Sequence, residues 1–134
     1  MDQQDADVVL KTLQRFIAND RDGSLRFWAD DGVFVPPVMW PESSPVRGVQ
    51  NVREVFDGFD DEWGHDWPTR LKVEAVRTKP LGIVVEFRFR PSGRESGVPT
   101  ETPLSALYKV RDGKIAEAAF FLDRDGASNA AGAG

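Results

Sequence analysis

The stretch SLRFWADDGVFVPPVMW, residues 24–40, places two tryptophans, two phenylalanines and two adjacent aspartates close together. Asp30 and Asp31 are either a buried acid–base pair or the end of a helix and a turn. Short polar side chains ahead of a glycine suit a turn, because they bond their own backbone and tolerate its geometry. The segment therefore reads as a short helix through Leu25, Phe27 and Trp28, capped by Ser24. Asp30-Asp31-Gly32 is then the turn. Val33-Phe34-Val35 is a short strand, closed by Pro36 and Pro37.

Upstream, Val9, Leu10, Leu13, Phe16 and Ile17 recur at three- and four-residue spacing, which predicts a helix over 7–19 capped by Asp5 or Asp7. Downstream, Val49, Val52, Val55, Phe56 and Phe59 give a third helical stripe, after a proline-rich segment from Val38 to Arg47. From Leu71 the period changes to two. Ile83, Val85, Phe87 and Phe89 alternate with Val84, Glu86, Arg88 and Arg90, giving one apolar and one charged face. Leu104–Val110 and Ile115–Leu122 are two further strands. Arg111-Asp112-Gly113-Lys114 between them is a hairpin turn, since Asp-Gly supplies positive φ. After Gly126 the chain is Ala, Gly, Ser and Asn, which reads as a disordered tail over 126–134. The remainder, 1–125, is one α+β domain with helices on one face of a curved antiparallel sheet.

Composition narrows the function. The chain has 134 residues, a net charge of -5 and no basic cluster, which argues against nucleic acid. It has no cysteine and one histidine, His65, so disulfides, thiolate metal sites and a cysteine nucleophile are excluded. No metal site and no cofactor motif is read. No apolar run reaches the ~18 residues that span a membrane, and MDQQDAD is not a secretory signal. A cytoplasmic location follows as the expectation. Asp57, Asp60, Asp61 and Glu62 read as a solvated helix end.

Four segments resemble the nuclear transport factor 2-like superfamily, and within it the polyketide cyclase-like (SnoaL-like) group. They are FWADDGVFVPP after the first helix, RGVQNVREVF at 47–56, the alternating strand GIVVEFRFR, and VRDGKIAEAAFFLDRDG at 110–126. Together they cover residues 8–125. The resemblance implies a cone-shaped curved sheet wrapped by three N-terminal helices (the cystatin-like roll), enclosing an apolar pocket of ~300–1,000 Å³. It implies a cofactor-independent isomerase, dehydratase, cyclase or hydrolase acting on a hydrophobic metabolite. The alternative is a non-catalytic ligand-binding or accessory protein, because this fold hosts both. It also implies a homodimer through the outer sheet face, which carries Glu86, Arg88, Lys109, Glu117 and Phe121.

The superfamily's best-known chemistries do not carry over. The ketosteroid isomerase base, tyrosine and buried acid would fall near Pro36, Phe16 and Ala106, none of which transfers a proton. PLSALYKV lacks the Arg-x-Asp pair of limonene-epoxide hydrolases, and one histidine with one tyrosine does not match scytalone dehydratases. The candidates left are His65, oriented by Asp66 or Glu62, the lone Tyr108, and Asp123 at the last strand's end. Each also has a structural reading: a helix-end histidine, a core tyrosine, a strand-end aspartate. Expected ligand-binding walls are Phe16, Phe34, Trp40, Phe56, Trp63, Trp67, Val85, Phe87, Ala106, Phe120 and Leu122.

Overall fold

The computed structural model describes residues 2–37, 44–90 and 101–131. Helix α1, Asp2–Ile17, buries Val9 and Leu13 and turns Phe16 toward the same side. It begins earlier than the aspartates at 5 and 7 suggested. The turn after it passes through Asn19, whose φ of 65° is a left-handed conformation that asparagine tolerates. Helix α2, Arg21–Leu25, is capped by Asp20, whose carboxylate accepts the Gly23 N–H at 2.9 Å. Ser24 is thus inside the helix and not its cap. The buried Thr12 hydroxyl donates to the Ser24 carbonyl at 2.6 Å and fixes α2 to α1.

Strand β1 is longer than the sequence suggested, running Trp28–Val35. Asp30, Asp31 and Gly32 are not a turn before it but an irregularity within it. Between Trp28 and Val33 the strand advances five residues while its partner advances only from Ile115 to Glu117. Both aspartates face solvent, and Asp31 pairs with Arg111 at 2.8 Å. Gly32 is required by close approach: a Cβ there would meet the Trp28 ring at 2.9 Å and the Ala29 carbonyl at 3.0 Å.

After β2, Val46–Arg47, helix α3 runs Val49–Trp63 and buries Val52 and Phe56. A short 3-10 helix, Trp67–Arg70, then leads into β3, Leu71–Lys79, and β4, Gly82–Phe89. Strands β5, Thr102–Arg111, and β6, Lys114–Phe121, follow, joined by a turn in which Asp112 and Gly113 have φ of 54° and 76°. The sheet order is β2-β1-β6-β5-β4-β3. All neighbours are antiparallel except β1 and β6, which run parallel; the four long strands β3–β6 form the expected antiparallel meander.

The inner face carries Ile83, Val85, Phe87, Ala106, Tyr108 and Ala118, all buried beneath the helices. Strand parity is as the alternation predicted: Glu86 lies on the outer face, paired with Arg77 at 3.2 Å. The expected tail differs. Residues Gly126–Ala130 form helix α4, and Ala127 and Ala131 are fully buried against Val84 and Leu107 on the outer face. Phe87 is 1% exposed and stacked on Phe120 at 6.2 Å, so nothing replaces its packing if it is removed. Phe87→Ala is expected to cost about 3–5 kcal/mol, read as a lowered urea midpoint with an unchanged unfolding slope.

Candidate functional site

A cavity of about 230 Å³ opens between the helices and the inner face. It is smaller than the range the resemblance implied. Phe16 of α1, Phe34 and Pro37 at the end of β1, and Phe56, Phe59 and Trp63 of α3 form its helical side. Trp67 and Leu71 form one end, and Phe89, Thr102, Leu104, Phe120, Phe121 and Leu122 form the sheet side. No titratable side chain among the described residues lines it; Thr102 supplies the only hydroxyl.

The walls are held by edge-to-face ring contacts, the arrangement that the aromatic quadrupole favours. Phe56 meets Phe16 and Phe34 at 5.4 Å each and Trp67 at 6.2 Å. Trp63 meets Trp67 at 5.7 Å and Phe89 at 5.6 Å, bridging α3 to β4.

Behind Trp67 lies a polar clamp. The Trp67 indole N–H donates to Asp60 Oδ1 at 2.9 Å. Arg21 grips both oxygens of the same carboxylate, at 2.9 and 3.1 Å, and Asp57 at 2.7 Å. The Arg21 guanidinium also lies 5.9 Å from the Trp67 ring centre. Arg21 and Asp60 are both largely buried, at 14% and 16% side-chain exposure, so the bidentate geometry matters energetically. The Arg21 hydrogen bond holds the Asp60 carboxyl below the usual carboxylate range, against the opposing effect of burial. The clamp ties α2, α3 and the 3-10 helix to one wall residue.

The sequence-derived candidates divide. Phe16, Phe34, Phe56, Trp63, Trp67, Phe120 and Leu122 line the cavity. Val85, Phe87 and Ala106 sit on the correct face but in the core, outside the lining. Trp40 lies outside the described residues, as does the Glu62 side chain. The three acid–base candidates do not meet. The His65 side chain is 89% exposed, with Nδ1 3.4 Å from Asp60 Oδ2 on the far side of the clamp. Asp123 is exposed and accepts the Gly126 N–H at 2.6 Å. Tyr108 is buried beside Phe120, at 6.2 Å between rings, without reaching the cavity. Burial alone pushes its phenol well above the ordinary tyrosine value. Sequence reasoning missed Arg21 and Asp60 as a unit. Thirty-nine positions separate them, and no local pattern joins them.

The SnoaL-like domain model matches residues 9–118. The chain belongs to the SnoaL-like family. An NTF2-like protein of unknown function from Mesorhizobium loti shares 17% identity with a TM-score of 0.69, covering 91% of this chain and 93% of the other. A cystatin-like-fold protein of unknown function from Xanthomonas campestris shares 16%, with a TM-score of 0.71 over 88% and 90% of the two chains. TerC, co-crystallised with polyporic acid, shares 15%, with a TM-score of 0.72 over 90% and 92%. Curated proteins gave no match. These likenesses establish an NTF2-like, cystatin-like α+β fold for this SnoaL-like chain. No helix among the described residues is long and apolar enough to cross a membrane.

The clamp generates a pH prediction. Asp60 titrates lower folded than at its ordinary 3.8, so its contribution is complete above that value and fades as pH falls through the lowered one. Wild type should therefore lose more stability than Asp60→Asn between about pH 6 and about pH 3, measured by urea unfolding at both. Equal losses would remove the clamp's electrostatic role.

Proposed function

We propose that this SnoaL-like protein binds one small, uncharged, largely apolar molecule in the aromatic cavity, and that binding rather than acid–base catalysis is its activity. The observation that carries this is the lining among the described residues: aromatic and aliphatic walls, one threonine hydroxyl, and no titratable group. Rigid rings lose little conformational entropy on contact and present flat faces to a flat ligand. A carboxylate or ammonium would meet no charged partner among the described lining residues and would lose its hydration, a cost that burial of apolar area does not offset. General acid–base work needs a donor or acceptor within hydrogen-bond reach of the reacting atom. His65 and Asp123 face solvent instead. The co-crystal of TerC with polyporic acid supports a small-molecule occupant for this fold.

The test uses N-phenyl-1-naphthylamine, a neutral aromatic fluorophore, beside the anionic 1-anilinonaphthalene-8-sulfonate. The neutral probe should bind saturably with one site and raise the melting temperature. Trp63→Ala should weaken it by about tenfold or more, from a lost wall worth ~1.5–3 kcal/mol. Leu104→Trp, which fills the space, should abolish binding in a folded protein. His65→Ala and Asp123→Ala should leave affinity unchanged. Absence of saturable binding, or loss of it in either of those last two variants, would refute the proposal.

A further inference from the structure

Among the described residues three that carry hydroxyls are fully buried, and each is hydrogen-bonded. Thr12 donates to the Ser24 carbonyl at 2.6 Å, and Ser24 Oγ donates to the Arg21 carbonyl at 2.9 Å. Ser105 Oγ accepts the Ala127 N–H at 3.0 Å. That is the ordinary condition of a polar group held away from water. Thr102 differs. It is half-buried, it lines the cavity, and its hydroxyl meets no hydrogen-bonding partner among the described residues.

Its place in the sheet sets where that hydroxyl stands. Thr102 pairs with Phe89, Leu104 with Phe87 and Ala106 with Val85, so Thr102 shares the inner face with the core. Both heavy atoms on a threonine Cβ project from the face that the residue occupies, so Oγ1 stays on the cavity side of the sheet. Thr102 is also the first residue of β5, whereas Ala106 and Tyr108 further along the strand are buried. The hydroxyl therefore marks the outer end of the cavity. The buried rings of Phe34 and Phe56 mark its apolar depth.

A hydroxyl both donates and accepts, so it pairs with a carbonyl oxygen or with another hydroxyl. It does not neutralise a charge, and no titratable side chain among the described residues lines the cavity. The ligand atom that fits it is a neutral oxygen. A second oxygen at the opposite end of the ligand would lie against the Phe34 and Phe56 rings, stripped of water with no hydrogen bond in return.

Resting on the reading that the cavity binds one small apolar molecule, we infer that Thr102 selects that molecule and orients it. The ligand is a ring compound with a neutral oxygen, as in a ketone, alcohol or phenol, at one end only. That oxygen shares a hydrogen bond with the Thr102 hydroxyl at the outer end of the cavity. The hydrocarbon end enters first and packs against Phe34 and Phe56.

Naphthalene and 2-naphthol differ by one oxygen, and both are uncharged near neutral pH. Their dissociation constants, measured by titration calorimetry on the full-length chain, give each protein's preference for the oxygenated ring. Thr102→Val keeps the β-branched shape and removes the hydroxyl, and it should lower that preference by about fivefold, the worth of one net hydrogen bond. Thr102→Ser returns a hydroxyl on a smaller side chain and should hold the preference within about twofold of wild type. A preference in Thr102→Val equal to that of wild type, in a protein that binds naphthalene, would overturn the role of Thr102 and leave the cavity as the binding site. Loss of the preference in Thr102→Ser would also overturn it, since the methyl group and not the hydroxyl would then be responsible. Failure of both ligands to bind wild type would overturn the cavity reading and the role of Thr102 together.

Discussion

The Phe56 ring is the contact through which the helices and the sheet agree on a position. It meets Phe16 of α1, Trp28 and Phe34 of β1, Phe59 of its own helix and Trp67 beyond it. Aromatic rings that pack edge to face cannot collapse onto one another as aliphatic chains do. When α3 is fixed at one end by Gly48 against β1 and at the other by the Arg21–Asp60 grip, the rings between cannot close the remaining gap. The cavity follows from that restraint, because close packing would otherwise remove it.

The same restraint explains where the polar groups are. Every strong charge described near the cavity is spent on scaffolding. Arg21, Asp57 and Asp60 bind the helix ends together, and Arg70 bonds the Trp63 carbonyl at 2.8 Å and the Asp66 carboxylate at 3.0 Å. The acidic, aromatic segment around residues 59–68 looks like a site in one dimension. In three dimensions it separates: Phe59, Trp63 and Trp67 turn inward, while Asp60 faces the back of the indole and His65 faces water.

Much of this was legible because periodicity reports faces. The alternation in Ile83–Phe89 gave the inner side of β4 correctly, and Asp112-Gly113 marked the β5–β6 turn. Periodicity does not report depth, which is why Val85, Phe87 and Ala106 belong to the core beneath the cavity and not to its lining. Asp30-Asp31-Gly32 carries turn chemistry, yet it forms an irregularity inside β1, because the same short polar residues serve both. The C-terminal alanines have too little side chain to signal burial, although Ala127 and Ala131 are among the most buried residues. The Arg21–Asp60 grip is a long-range pairing, and no single sequence displays it.

The parallel pairing of β1 with β6 has a consequence for how the chain acquires this shape. Phe34 lies beside Ala118, eighty-four positions later, while every other pair of long strands is consecutive in the chain. Loop closure over such a span is entropically costly and slow. On a ribosome, β1 must wait for its parallel partner until β6 has emerged. The segment through β1 is therefore open to misassociation while the eighty-four positions up to Ala118 are made, and β6 is the strand that completes its pairing.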